Sequence, residues 1–213
     1  MTGYLPPSFF PSRFQILSGS SLKVLAMVIM LIDHTAAVLL SIWQPALDPL
    51  FYIGGRGYSA YRICRDIGRA AFPIFCFLLT EGFLHTRNRV RYGRNLFLFA
   101  LISEIPWNFM FTDTWTYVKQ NVFFTLFLGF LGMCALEYFR SAPWKQILCL
   151  LVRLCVAVKL NADYGWRGYV FLLIMYLLRN EKASQAIVGS CWLYYEWKAC
   201  FAFISINMYN GQR

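Results

Sequence analysis

The residues best suited to chemistry are a neighbouring acid and imidazole, Asp33 and His34, inside an almost wholly apolar run from Leu22 to Trp43. A helix of about 20 apolar residues can cross the roughly 30 Å hydrocarbon core of a bilayer. Ionisable side chains at that depth are costly and normally face a protein interior or a wet cavity, so they indicate a functional site. Because imidazole is the usual general base near neutral pH, the pair predicts proton transfer inside a membrane-spanning helix.

A lysine precedes this pair in a spacing that suggests a binding geometry. Lys23 lies eleven residues before His34. At about 100° per residue, that separation brings both side chains to one helix face, about 16 Å apart along the axis. A cation at one membrane surface would then be in line with a titratable base at mid-depth. This arrangement is suited to holding a long anionic cofactor and reacting with its far end.

Both histidines of the chain have a carboxylate within one helical turn, since Glu81 lies one turn before His85. Adjacent helical residues point about 100° apart, so we expect Glu81 or Glu104, rather than Asp33, to bond His34. The alternative for each histidine is a structural role in a hydrogen-bonded pair. For His85, which borders a basic segment, a functional role and a solvated surface role are equally supported.

Composition points to the membrane. The chain has 213 residues, of which 59% are hydrophobic and 14% charged, whereas soluble domains carry about 25% charged residues. Repeated apolar runs predict an all-α, polytopic transmembrane helical bundle with seven to eight spans. The net charge of +10 fits Lys and Arg facing anionic headgroups. No nucleic-acid partner is expected, because the sequence has neither a zinc pattern nor a basic amphipathic arm.

We expect an N-terminal interfacial segment at 1–21 and a single transmembrane domain at 22–213. Segment 1–21 lacks the features of a signal peptide, and Ser20 or Ser21 can cap the first helix. The loop with Gly54 and Gly55 is expected to be flexible or re-entrant, and Pro73 should kink its helix or mark an irregular start. If the basic loop at 86–94 is inside, the N-terminus is cytoplasmic. The apolar segments lie at about 22–43, 67–85, 95–111, 120–139, 146–159, 166–178, 183–194 and 198–208.

The remaining polar residues favour no metal site. Zinc would need three or four converging ligands, and two histidines with scattered acids do not demand them. Arg153, in the middle of an apolar run, predicts a buried carboxylate partner, Glu137 or Asp163, with substrate binding as the alternative. Glu104 and Asn108 are expected to share a helix face across a proline kink.

Five sequence blocks, in order, resemble the TraX family of integral-membrane acetyltransferases, named for the protein that acetylates the N-terminus of conjugative pilin. The likeness covers about 22–211, and the basic residue before the first-helix histidine is also similar to the wider class of membrane acyltransferases that use acetyl-CoA on the cytoplasmic side. The blocks are Leu22–Lys23 with Asp33–His34, Gly68–Asn88, Ala100–Pro106, Gln120–Leu126 and Asp163–Gly165.

The resemblance implies an acetyl-CoA-dependent acetyltransferase of the bacterial inner membrane. Its acceptor would be an amine or hydroxyl, membrane-tethered or small, with a pilin or peptide N-terminus among the candidates. His34 would be the general base or would briefly carry the acetyl group. The implied residues are Asp33, His34, Glu81 and Glu104 for catalysis, Lys23, Arg69, His85 and Arg87 for the CoA phosphates, and Gln120, Asn121, Asp163 and Tyr164 for the acceptor.

Two other functions stay open. A proton-coupled transporter would also use intramembrane ionisable residues, although no inverted repeat is visible. A non-catalytic assembly or immunity partner could keep the same fold. The expected partners are acetyl-CoA, the acceptor and the lipid bilayer, with an oligomer allowed.

Overall fold

The computed structural model describes residues 9–112, 115 and 118–212, and these are mostly helical. The all-α class is therefore confirmed, apart from one short hairpin. Residues 1–8 of the predicted interfacial segment lie outside the described residues. The helices are α1 (Gly19–Thr35), α2 (Gln44–Leu47), α3 (Ala60–Gly68), α4 (Ala71–His85), α5 (Arg89–Thr112), α6 (Val122–Tyr138), α7 (Pro143–Leu160), α8 (Gly165–Leu177), α9 (Lys182–Trp192) and α10 (Ala202–Asn207). Short 3₁₀ segments lie at Ser12–Phe14 and Tyr194–Phe201.

The first helix begins earlier than the sequence predicts. Its cap is Ser18, whose hydroxyl accepts from the Ser21 amide at 3.1 Å, so the prediction of Ser20 or Ser21 is wrong. A π-helical turn, Ala36–Leu40, continues the helix. Among the described residues, two helical segments are long and apolar enough to cross a membrane, Gly19–Leu40 and Ala60–His85. The larger number of seven to eight spans stays a prediction.

The segment expected to be a flexible or re-entrant loop is a two-stranded antiparallel hairpin, which corrects that prediction. Strand β1 (Pro49–Ile53) pairs with β2 (Arg56–Ser59), with Ile53 opposite Arg56. Gly54 and Gly55 have φ of 55° and 77°, and two consecutive positive φ values are what a two-residue hairpin turn of type I′ requires. The Gly-Gly pair between β-forming residues is the signal that predicts this turn.

The second apolar segment is divided between two helices. Helix α3 begins at Ala60, well before the predicted start at 67, and α4 begins at Ala71 after a short break. Pro73 lies in the first turn of α4, where a missing backbone N–H breaks no internal helix bond. The expectation that Pro73 marks an irregular start is therefore confirmed.

The described residues form two compact units, whereas a single transmembrane domain stays a prediction. The terminal unit comprises the residues up to Leu78 and those from Leu178 onward. Within it Leu17 lies beside Met208 and Asn210, because the Leu17 amide donates to Met208 O at 3.0 Å and the Asn210 amide to Leu17 O at 2.9 Å. The buried Lys182 donates to Tyr209 O at 2.6 Å.

The central unit comprises Leu79–Leu177. Its core includes Leu128 of α6, Ala157 of α7 and Tyr169 and Leu173 of α8. The facing surfaces of these helices are apolar and bury large side chains, so packing fixes the loops that precede α6 and α8. Those loops carry all four residues predicted to meet the acceptor, Gln120, Asn121, Asp163 and Tyr164.

Candidate functional site

Helix α1 carries three of the predicted site residues, Lys23, Asp33 and His34. Because all three lie within one uninterrupted helix, Lys23 and His34 share a face and are about 16 Å apart along the axis. Lys23 is exposed, whereas Asp33 and His34 are half-buried. The helix therefore provides the alignment expected from the spacing, while the catalytic role of His34 stays a prediction.

Asp33 is anchored to α3. Its carboxylate accepts from the Arg65 guanidinium at 2.6 Å, with the two side chains 19% and 24% exposed. The backbone also comes close, because a Cβ at Gly68 would overlap the Asp33 side chain. Sequence reasoning missed Arg65 as the partner of Asp33, and its only signal was a basic residue one turn before Arg69. The pair fixes the carboxylate next to His34 and the distance between α1 and α3.

Two more charged residues, one in α3 and one directly after it, are also paired within the terminal unit. Asp66 forms an ion pair with Lys198. Arg69, which the resemblance assigns to the CoA phosphates, lies 3.5 Å from the Glu196 carboxylate and is about one third exposed. Glu196 and Lys198 have no match in the family blocks, and it is their position in the 3₁₀ segment Tyr194–Phe201 that brings them to α3. A phosphate at Arg69 would have to compete with Glu196.

Glu81, His85 and Arg87 lie at the end of α4 and in the following turn. The shared face expected for Glu81 and His85 is present, since His85 Nδ1 donates to the Glu81 carbonyl at 2.9 Å and lies 4.0 Å from the Glu81 carboxylate. His85 and Arg87 are exposed. The Asn88 side chain accepts from the Arg91 amide at 2.8 Å and caps α5. The exposed cations near this cap could receive an anionic group.

Glu104 and Asn121 form the centre of a polar network in the central unit. Glu104 Oε2 accepts from the Asn121 backbone amide, at 3.2 Å, and from its side-chain amide. The same amide donates to Ala100 O at 2.8 Å, while Asn121 Oδ1 accepts from the Phe123 amide at 3.0 Å and caps α6. Asn121 is buried, and its polar atoms are engaged by the protein. The geometry thus gives Asn121 the task of positioning Glu104, and its direct contact with an acceptor stays a prediction.

Gln120, Asp163 and Tyr164 lie beside this network. Gln120 pairs with Ala162 in a parallel bridge, and the Asp163 amide donates to Gln120 O at 2.8 Å. The Asp163 carboxylate forms an ion pair with Lys119 at 2.7 Å. Tyr164 has φ of 62°, a conformation that is unusual for a bulky residue and tends to occur at functional sites. The structure therefore brings together Glu104 and the four residues predicted to bind the acceptor.

Arg153 does not have the carboxylate partner expected for it. Within the described residues its guanidinium donates to Cys149 O at 2.8 Å, and its buried Nε has no acceptor. The candidate partners are used elsewhere, because Glu137 accepts from Tyr176 and Asp163 is paired with Lys119. The predicted carboxylate partner is therefore wrong, since both acids bond to other donors.

The predicted residues fall in both units, with Lys23, Asp33, His34 and Arg69 in the terminal unit and the others in the central unit. Within the part of the chain that the structure describes, no group of three or more His, Cys, Asp or Glu side chains could hold a metal ion.

Comparison with known proteins gives the same picture as the sequence blocks. The chain is 30% identical over 178 residues to a probable fimbrial assembly protein, FimC of serogroup H1, from Dichelobacter nodosus, covering 80% of this chain and 66% of the relative. It is 22% identical over 170 residues to an uncharacterized protein of Rickettsia prowazekii, covering 76% of this chain and 56% of that relative. The chain thus spans about two thirds of one relative and somewhat more than half of the other. No solved structure matches. The model of the family described as TraX protein matches residues 18–210, which include every residue assigned above to the site, and the chain therefore belongs to the TraX family.

Proposed function

We propose that this chain is an integral-membrane acetyltransferase that transfers an acetyl group from acetyl-CoA to an amine or hydroxyl acceptor. The observation that carries the proposal is the arrangement on α1 in a member of this family: exposed Lys23 and half-buried His34 share one face, and Asp33 is held by Arg65. A distant cation and a titratable base on one rigid helix suit a long anionic co-substrate with a reactive end.

Each residue then has a defined task. Lys23 would bind the CoA phosphates, with Arg69 joining it if Glu196 releases it. The same task for His85 and Arg87 stays a prediction from the family resemblance. Acetyl-CoA supplies the acetyl group as a thioester. His34 would take the proton that the acceptor loses on acylation, or would carry the acetyl group itself, and the proton finally passes to the released thiol.

The setting we propose is the bacterial inner membrane, with a cytoplasmic N-terminus and seven to eight spans. Beyond the two long apolar segments, α5 and α7 expose large apolar side chains along most of their length, as lipid-facing helices do. On α5 these include Leu98, Ile102, Ile105 and Phe109, and on α7 Ile147, Leu151, Val152 and Val158. A membrane-tethered peptide or pilin N-terminus is a suitable acceptor, because the D. nodosus relative is named as a probable fimbrial assembly protein.

Transfer of radiolabelled acetyl groups from acetyl-CoA by the purified full chain tests the proposal, with membrane extracts as the source of acceptor. We expect His34→Ala to lower the rate at least about 100-fold, since a general base contributes about 10²–10⁴-fold. Thr35→Ala, an exposed neighbour on the same helix, is the matched control and should keep the wild-type rate. Equal transfer by His34→Ala and wild type would overturn the mechanism.

The name of the D. nodosus relative also favours a second candidate, a non-catalytic partner in pilus assembly. Isothermal titration with acetyl-CoA separates the two. An enzyme should bind acetyl-CoA and lose affinity on Lys23→Ala, whereas an assembly partner should show no binding and should co-purify with another membrane protein.

A further inference from the structure

The guanidinium of Arg153, in the middle of α7, is only partly satisfied by the chain. Its Nη1 donates to Cys149 O at 2.8 Å, while its buried Nε has no hydrogen-bond partner within the described residues. The acids expected to pair with it, Glu137 and Asp163, are bonded to other donors. Ionisable side chains in membrane segments pair with each other or with backbone carbonyls. One carbonyl leaves both the charge and the Nε of Arg153 uncompensated.

The depth of Arg153 in α7 separates it from the lipid headgroups. The helix has 18 residues, a length of about 27 Å, and Arg153 lies about 15 Å from its first residue and about 10 Å from its last. In the transmembrane setting proposed above, this is near the middle of a hydrocarbon core of about 30 Å. The bond to Cys149 O holds the guanidinium against its own helix, so it does not extend to the surface. A counter-charge at this depth is supplied most directly by another membrane-spanning helix.

Arg153 borders a face of α7 that the described chain leaves uncovered. On one side, about 60° and 40° around the helix, Leu150 and Ala157 pack in the core with α6 and α8. On the other side, about 100° and 60° around the helix, Val152 and Val156 are 54% and 43% exposed. A helix that lies along these two valines can therefore place a side chain at the guanidinium.

We propose that this face of α7, formed by Arg153, Val152 and Val156, docks a membrane-spanning helix of a partner protein that carries a carboxylate at mid-depth. The inference rests on the membrane setting of the proposed function and not on acetyl transfer. A carboxylate can accept from Nε and from a second guanidinium N–H at once, in the bidentate pairing that arginine favours. Because lipid tails are as apolar as valine, apolar contact alone does not select a helix in a membrane. The charge pair supplies that selection.

Binding of a synthetic membrane-spanning peptide to the full chain in phosphatidylcholine vesicles tests the proposal. The peptide is a leucine–alanine helix of about 22 residues, long enough to span, with one glutamate at its centre and a dansyl group at one end. Energy transfer from the tryptophans of the chain to the dansyl group measures binding. Two further peptides carry glutamine at the centre or the glutamate near one end. We expect the central-glutamate peptide to bind at least about tenfold more tightly than either, because a charge-assisted hydrogen bond is about twice as strong as a neutral one.

Variants of the chain assign this preference to the guanidinium. Arg153→Leu removes the cation and keeps an apolar side chain, so it should bind the central-glutamate and central-glutamine peptides equally. Arg140→Gln removes an exposed cation from the turn between α6 and α7. It is the matched control and should keep the wild-type preference.

The wild-type comparison of peptides decides the question even if Arg153→Leu fails to fold. Equal binding of the three peptides, or an undiminished preference in Arg153→Leu, would overturn the inference. A preference that disappears when phosphatidylglycerol is mixed into the vesicles would also overturn it, since a lipid phosphate would then be the partner of the guanidinium. The assay contains no acetyl-CoA, so its result stands whether or not the chain transfers acetyl groups.

Labelling of Cys155 distinguishes a failure of this inference from a failure of the membrane setting. Cys155 is exposed on α7, two residues after Arg153. In intact vesicles a charged, membrane-impermeant maleimide should leave its thiol unmodified, as read by mass spectrometry. Modification there would place α7 in water and overturn both the span and the docking face. A protected Cys155 without any peptide preference would remove the docking face alone.

Discussion

The two units of the molecule treat their charged groups differently. In the terminal unit, acids and bases from separate elements pair with each other. In the central unit, Asp163 pairs with the partly exposed Lys119, but Glu104 is held by amides and Arg153 by a peptide carbonyl, and both keep buried atoms without a partner in the described chain. The ion pairs of the terminal unit are Asp33–Arg65, Asp66–Lys198 and Arg69–Glu196.

This difference distinguishes charged groups that fix the orientation of helices from charged groups that are available to bind a ligand. A charge pair with good geometry satisfies both members and ties two helices together, so it sets orientation and leaves little for a ligand. A carboxylate held by neutral amides keeps its charge uncompensated, and nearly all buried polar groups in proteins find a partner. The Asp33–Arg65 ion pair beside His34 therefore serves to position that part of the helix. The buried carboxylate oxygen of Glu104, which has no hydrogen-bond partner among the described residues, is suited to a ligand.

The largest effect should come from breaking the approach of α3 to α1. In Gly68→Ala, the added Cβ overlaps the Asp33 side chain, which cannot move aside without losing Arg65. We expect a loss of about 3 kcal/mol in the free energy of unfolding, the upper range for overpacking in a packed interior. Unfolding in mixed SDS micelles measures it.

Ile67→Ala, at a 43% exposed neighbour, is the control for that experiment. It should cost less than about 1 kcal/mol, because little packing is removed. If Gly68→Ala unfolds as wild type does, α3 does not approach α1 at Asp33, and the terminal unit loses its distinguishing feature.

Long apolar runs made most of the helices predictable. The runs that became α5 to α8 were placed within a few residues, except that α5 begins at Arg89, because hydrophobic length fixes a helix regardless of its partners. The position of Lys23 and His34 on one helix, and the shared face of Glu81 and His85, followed from helical periodicity alone.

Other features could not be read from apolar length. Helix α3 was missed over its first residues because it carries the charges Arg62, Arg65 and Asp66. Arg65 and Asp66 are paired with residues distant in the chain. Those partners come from elements far along the chain, and no local pattern encodes such pairing. The carboxylate partner predicted for Arg153 was wrong for a related reason, since a single sequence does not show which donor bonds to each carboxylate.

Asn121 provides the second test of the comparison, because the central network depends on it. Asn121→Ala removes the cap of α6, worth about 1 kcal/mol, and the side-chain amide that donates to Glu104 Oε2 and Ala100 O, worth about 1–3 kcal/mol. The backbone amide at position 121 still donates to Glu104 Oε2. We expect a total loss of about 2–3 kcal/mol in unfolding free energy. Asn121→Ser, which keeps a capping oxygen, should recover about 1 kcal/mol in the same measurement. Wild-type stability of both variants would contradict the network.

The smallest expected effect is a difference in coupling energy between one ion pair of each unit, measured by double-mutant cycles. Asp33–Arg65 is mostly buried, with side chains 19% and 24% exposed, so Asp33→Asn and Arg65→Gln should show a coupling energy of about 1–2 kcal/mol. In Lys119–Asp163 the lysine is 43% exposed, and exposed pairs contribute about 0.2–1 kcal/mol. Its coupling, from Lys119→Gln and Asp163→Asn, should also fall between 0.05 and 0.5 M salt because solvent ions screen it. If both cycles gave equal, salt-independent coupling energies, Asp33–Arg65 would contribute no more to stability than Lys119–Asp163 does. The unpaired buried oxygen of Glu104 would then need an explanation that does not depend on a difference between the two units.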